Sequence, residues 1–132
     1  MTDPAHQIPD DTELLAMFRD GAIESLAELK ESSRALVESP ETEAGRLVRM
    51  AELVHVLKGQ GSSFGFPLVT EVGASCMRLL KGRESVDAAV AGLIAAHIEA
   101  LDVVIEKSIQ GDGGEFGAAL TQRLDALVTK LG

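Results

Sequence analysis

Aromatic side chains are nearly missing from this chain of 132 residues, which has no Trp, no Tyr and only four Phe. A core without them must be filled by Leu, Val, Ile and Ala, which suits packed helices better than sheets. Cysteine is scarcer still. Cys76 is alone, so no intrachain disulfide and no cysteine metal cluster can form. The three histidines are dispersed, which is not the pattern of a metal site. Cations are in deficit, 12 Lys and Arg against 21 Asp and Glu, for a net charge of −9. Nucleic-acid affinity comes largely from cations that neutralise phosphates, so nucleic acid is not an expected partner. The opening Met-Thr-Asp-Pro lacks the basic-then-apolar pattern of a secretory leader. No apolar run is read as long enough to span a membrane. The expectation is a reduced, cytoplasmic, monomeric protein with no membrane partner.

What the chain does have is helical periodicity. Its length suits one domain. Residues 1–10 are polar and hold two prolines, a flexible lead-in. Residues 11–19 predict a short helix through Leu14, Leu15 and Phe18, with Gly21 as a bend or break. A longer helix then runs to Glu38, with Ile23, Leu26, Leu29, Ala35 and Leu36 on one side. Pro40 opens the next helix, whose first turn carries Glu41 and Glu43. It continues past Leu47, Met50, Leu53 and Leu57 to a glycine-rich stretch, residues 59–65. Pro67 starts a helix over residues 67–80, closed by Lys81 and Gly82. Residues 86–110 predict another, and after the glycine linker at 111–114 an amphipathic helix covers 116–131. No period-two stretch and no internal repeat is found. The predicted fold is all-α, an antiparallel four-helix bundle with additional short N-terminal and C-terminal helices. The bundle is assigned to residues 11–110, and the linker and last helix to 111–132.

The chemistry concentrates in His55-Val56-Leu57-Lys58-Gly59-Gln60-Gly61-Ser62-Ser63-Phe64-Gly65-Phe66. Advancing about 100° per residue puts Met50, Leu53, Leu57 and Phe64 on the core side and His55 roughly opposite, in solvent. The residues on the His55 side are Ala44, Val48, Ala51, Gly59 and Ser62, a low strip with one imidazole standing on it. Glycine inside a helix costs ~1 kcal/mol relative to alanine, so the three here need a use for the missing side chains. Close approach by another backbone is one such use. A neutral imidazole is a good nucleophile near neutral pH, and one ring nitrogen can accept a phosphoryl group. Lys58, three residues on, lies on the same flank and can reach that group's oxygens, where electrostatics carry most of the catalysis.

These residues resemble the signature of histidine phosphotransfer (HPt) domains: His55, Leu57, Lys58-Gly59, then Ser62 or Ser63, and Gly65. The longer string to Phe66 is similar to the phospho-accepting domain of chemotaxis-type histidine kinases. The resemblance implies a four-helix bundle with the acceptor histidine on an exposed face. It also implies receiver domains of response regulators as partners, a histidine kinase as a possible further one, and Mg²⁺ on the receiver with no cofactor on this chain. Many members carry a Gln or Glu on the following helix that hydrogen-bonds the acceptor; that position falls at about Met77, with Ala74 one turn earlier. Its loss makes a receiver aspartyl-phosphate the expected donor. The expected roles are therefore phosphoacceptor for His55, phosphoryl stabilisation for Lys58, and receiver docking for Val48, Ala51, Gly59 and Ser62. The alternatives are phosphorylation by an ATP-dependent kinase, or an interaction module that transfers nothing.

Blander readings exist for each residue. Lys58 alone would be a solvated lysine, and Gly59 either ends the helix or gives a partner access. The glycines do not make a nucleotide loop, because the lysine precedes them and no strand leads in. His97 lies on the apolar stripe between Leu93 and Leu101, as a core or half-buried histidine. Cys76 reads as a small core hydrophobe. The last helix either caps the bundle or engages a partner.

Overall fold

The structure, a computed structural model, describes residues 11–39 and 44–131. The lead-in expected over residues 1–10, and Pro40, Glu41 and Glu43 at a helix start, lie outside the described residues. Five helices account for the rest: α1 (Asp11–Glu38), α2 (Ala44–Gly61), α3 (Pro67–Leu80), α4 (Ala88–Glu106) and α5 (Gly114–Leu131). A single 3₁₀ turn, Ser62–Phe64, follows α2, and no strand occurs among the described residues.

The expected break at Gly21 is absent, and α1 is one continuous helix of 28 residues. Gly21 is exposed and a Cβ there would meet nothing within 4 Å, so no neighbour forces a bend. Phe18, Ala22, Leu26, Leu29 and Leu36 form the buried stripe on either side of it. Tertiary packing of such a stripe outweighs the local cost of one glycine. Ile23 is not part of it, being 51% exposed. No separate short N-terminal helix exists among the described residues.

In α2 the fully buried positions are Leu47, Met50, Val54 and Leu57, spaced three, four and three apart. Val54 rather than Leu53 is the central core residue, and Leu53 is only partly buried. Helix α3 opens with Pro67 at its first positions, where a missing N–H costs nothing. Asp87 caps α4, accepting a hydrogen bond of 2.8 Å from the Val90 amide. Helix α4 is shorter than the 86–110 read from the sequence, yet by length and composition alone it could cross a membrane, which corrects the reading that no run is long enough. Here it is the core helix, with Ile94, Ile98, Leu101 and Val104 buried at 1% exposure or less.

The helices form a ring in which α1 packs on α4 and α2, and α3 packs on α2 and α4. Helices α2 and α3 run antiparallel, since Gly61 lies against Thr70 and, three residues back, Lys58 lies against Gly73. Helix α5 lies outside the ring against α3 and α4, and buries Leu124. The Gly111–Gly114 connection is a tight turn. The Gly111 N–H donates to the Gly65 carbonyl at 2.9 Å, tying it to the α2–α3 connection, and Asp112 Oδ1 accepts from the Gly114 N–H. At the same end Phe64 stacks on Phe18 with centroids 4.8 Å apart, and Phe66 tilts against Phe18 at 5.5 Å. Three of the four phenylalanines thus anchor the α2–α3 connection to α1.

Candidate functional site

His55 follows buried Val54 by one residue, which turns it roughly 100° from the core stripe. It is exposed. Its side chain therefore leaves α2 on the shoulder facing α3, in solvent as the sequence projection expected. No hydrogen bond or ion pair joins it to another described residue.

His55 lines an open groove of about 590 Å³ between α2 and the end of α3. Val48, Ala51, Glu52 and His55 form one wall, and Leu80, Lys81, Gly82, Arg83 and Glu84 form the other. Two of the four expected docking residues, Val48 and Ala51, therefore share a surface with the imidazole. Val48 is apolar and 57% exposed, so it presents a methyl-rich surface beside the imidazole. The opposite wall was not legible in the sequence, because it comes from a connection about 25 residues further on and carries no periodic signal. One side chain there is fixed: Arg83 Nε donates to the Leu79 carbonyl at 2.6 Å. That carbonyl belongs to the last turn of α3, where a cation is favourable.

The glycines of the motif divide into distinct roles. Gly59 lies in the open, exposed, and a Cβ there would meet nothing within 4 Å. Gly61 is needed for packing, since a Cβ there would stand 2.7 Å from Thr70 Oγ1 and 2.8 Å from the Phe66 carbonyl oxygen. Gly65 takes a left-handed conformation at φ 87° and ends the 3₁₀ turn. The close approach inferred from glycine content is thus met inside the molecule at Gly61, while Gly59 and Gly65 are both open toward solvent and only Gly65 has a left-handed backbone to account for it.

Lys58 is half-buried and Ser62 is exposed. The Ser62 hydroxyl is engaged, donating to Thr70 Oγ1 at 3.1 Å. On α3, Gly73 packs against Lys58 and Leu80 lines the groove with Ala51. Met77 lies between them on the same stripe and so stands level with His55. It is partly buried against the core.

His97 and Cys76 are apart from this surface. His97 is 0% exposed and bridges two helices, with Nδ1 2.7 Å from the Leu93 carbonyl and Nε2 2.8 Å from Ser75 Oγ. A carbonyl only accepts, so Nδ1 carries a proton, and in the neutral ring Nε2 accepts from the serine hydroxyl. Burial pushes its pKa down. Burial likewise pushes the Cys76 thiol up to about 12. No group of three or more His, Cys, Asp or Glu able to hold a metal occurs among the described residues.

The exposed histidine, its lysine one turn on and the all-helical frame converge with a direct match. The family model described as the Hpt domain matches residues 13–129, nearly the whole chain. The chain belongs to the Hpt domain family. No curated protein and no solved structure matches it. An Hpt domain acts in histidine phosphotransfer within phosphorelay signal transduction, as a phosphocarrier module without a kinase site of its own. Its partners in general are receiver domains and kinases. The match runs to residue 129 and so takes in most of α5, the helix that packs on α3 and α4.

Proposed function

We propose that this Hpt domain is an intermediate carrier between two response-regulator receivers, with His55 as its phosphoacceptor. One ring nitrogen attacks the phosphorus of a receiver aspartyl-phosphate. The N–P bond forms as the bond from phosphorus to the aspartyl oxygen breaks, and the freed carboxylate stays on the receiver. The other ring nitrogen holds the ring's proton. In the reverse sense, the aspartate of a second receiver takes the group from His55. Lys58 offers positive charge to the phosphoryl oxygens as charge builds on them. The Mg²⁺ ion that such transfers use belongs to the receiver.

The observation that carries this reading is the exposure of His55, without a partner among the described residues, at the mouth of a groove inside the family match. A nucleophile with its lone pair unengaged is ready for an incoming phosphorus. The docking surface in this reading is Val48, Ala51 and Gly59, which share the His55 side of α2, with Ser62 in the turn that follows it. Met77 level with the imidazole offers no acidic partner, which favours a receiver over an ATP-dependent kinase as donor.

Incubation with a labelled phospho-receiver, beside incubation with a histidine kinase and ATP, tests both halves of the proposal. The expected product is an acid-labile, base-stable phosphoprotein formed rapidly from the receiver, and none with His55→Gln. Label on His55→Gln at the normal rate removes the assignment. Rapid labelling from the kinase and none from the receiver reverses the choice of donor.

A further inference from the structure

The last turn of α2 is held by a side chain from the next helix. Thr70, in the second turn of α3, directs Oγ1 at this turn and donates to the Lys58 carbonyl at 2.8 Å. The same oxygen accepts from the Ser62 amide at 3.0 Å and from the Ser62 hydroxyl at 3.1 Å. A hydroxyl has one proton to give and two lone pairs, and all three are in use. Thr70 thereby straddles both ends of the turn that begins at Lys58 and closes at Ser62. The bare backbone at Gly61 is what lets its hydroxyl come so near.

One turn further along α3, Gly73 lies beneath the lysine. A Cβ on Gly73 would be 3.0 Å from Lys58 Cβ, 3.4 Å from its Cα and 3.6 Å from its Cγ. The first carbons of the Lys58 side chain therefore run across a helix surface cleared of side chains. The backbone of Lys58 is clamped and the base of its stem has a track. A lysine is otherwise a flexible chain with a mobile charge at its end, so restricting its origin narrows where the ammonium can go.

We propose that Thr70 is a positioning residue for phosphoryl transfer, acting through Lys58, with Gly73 as its accomplice; this rests on the phosphocarrier reading above. Thr70 does not touch the reacting atoms. It fixes the helical turn from which Lys58 reaches toward a phosphoryl group on His55.

The test is a two-by-two set, wild type, Thr70→Val, Lys58→Ala and the double variant, with transfer from a phospho-receiver followed by rapid quench over a range of receiver concentrations. Valine keeps the shape of threonine and removes the hydroxyl. With Lys58 present, Thr70→Val is expected to lower the maximal rate about three- to tenfold and to leave the half-saturating receiver concentration unchanged. With Lys58→Ala it should slow nothing further, and Thr70→Ser should restore the wild-type rate. Equal slowing in both lysine backgrounds marks a general structural role and overturns the proposal. So does an unchanged rate in Thr70→Val, or a Lys58→Ala variant that transfers normally. Should Thr70→Val fold poorly, Gly73→Ala takes its place: it displaces the lysine stem with the hydroxyl clamp intact, and the same dependence on Lys58 is expected. A wild-type protein that accepts no phosphoryl group sinks the phosphocarrier reading itself and this proposal with it, a result distinct from those above.

Discussion

Lys58 has the base of its stem on α3, and its ammonium makes no ion pair among the described residues. It is therefore free to serve a transient charge. Lys58→Ala is expected to slow phosphoryl transfer about tenfold, the equivalent of ~1.4 kcal/mol. Far-ultraviolet circular dichroism should be unchanged, because the residue lies off the buried stripe; transfer at the wild-type rate would reduce it to a surface lysine. His97 makes a different kind of prediction. Its folded pKa lies below the ordinary value because burial disfavours the charged ring. The unfolded chain protonates it near pH ~6.5. Between those two values the unfolded state binds more protons, so the fold loses stability as pH falls through that window and keeps it in full above it. Urea midpoints at two pH values, one above and one below ~6.5, should separate more for the wild type than for His97→Gln. An equal drop in both proteins would assign the acid sensitivity to carboxylates instead.

Helix α2 shows how local rules succeed and fail together. Gly59 and Gly61 differ by two positions and have opposite stability signs. Gly59→Ala adds a methyl in open space within a helix and should raise stability by about 0.5–1 kcal/mol. Gly61→Ala drives a methyl into Thr70 and the Phe66 carbonyl and should lower it. If the bare surface at Gly59 serves docking, the more stable Gly59→Ala protein will transfer more slowly, and Gly59→Leu more slowly still; equal rates would make Gly59 a passive residue. Sequence periodicity was enough to find α3 at its observed limits and to set His55 outside the core. It took Leu53 for the core residue where Val54 is, because both are aliphatic and periodicity tolerates a shift of one. It also broke α1 at Gly21, since a propensity scale sees the glycine and not the stripe of Phe18, Ala22 and Leu26 that carries the helix across it. Thr70 left no trace in the sequence, as a threonine in a helix has no signature until its neighbour is known.

At the scale of the whole molecule, α5 is joined to the bundle through α3 and α4. It buries Leu124 to 4% exposure, and its Asp125 meets Arg78 of α3 at 2.7 Å. Leu124→Ala is expected to lower stability by about 2–3 kcal/mol in a single cooperative transition. A separate early transition would instead show α5 unfolding by itself. Ala51→Arg addresses the groove, placing bulk beside His55. Melting should be unchanged and receiver-dependent transfer lost, whereas normal transfer would send the receiver to another face. Which of its two expected roles the last helix takes was not legible beforehand: a glycine-rich linker looks the same in sequence whether it swings freely or, as here, is bonded through Gly111 to Gly65.

The burial of Cys76 also makes this molecule convenient to instrument. The native thiol is enclosed by the core and held in its unreactive protonated form. A cysteine engineered at an exposed position off the docking strip, such as Gln122 on α5, would then be the single position that a maleimide dye modifies under native conditions. Spectroscopic rulers placed there would follow a receiver arriving and leaving, with no need to remove the endogenous sulfur first.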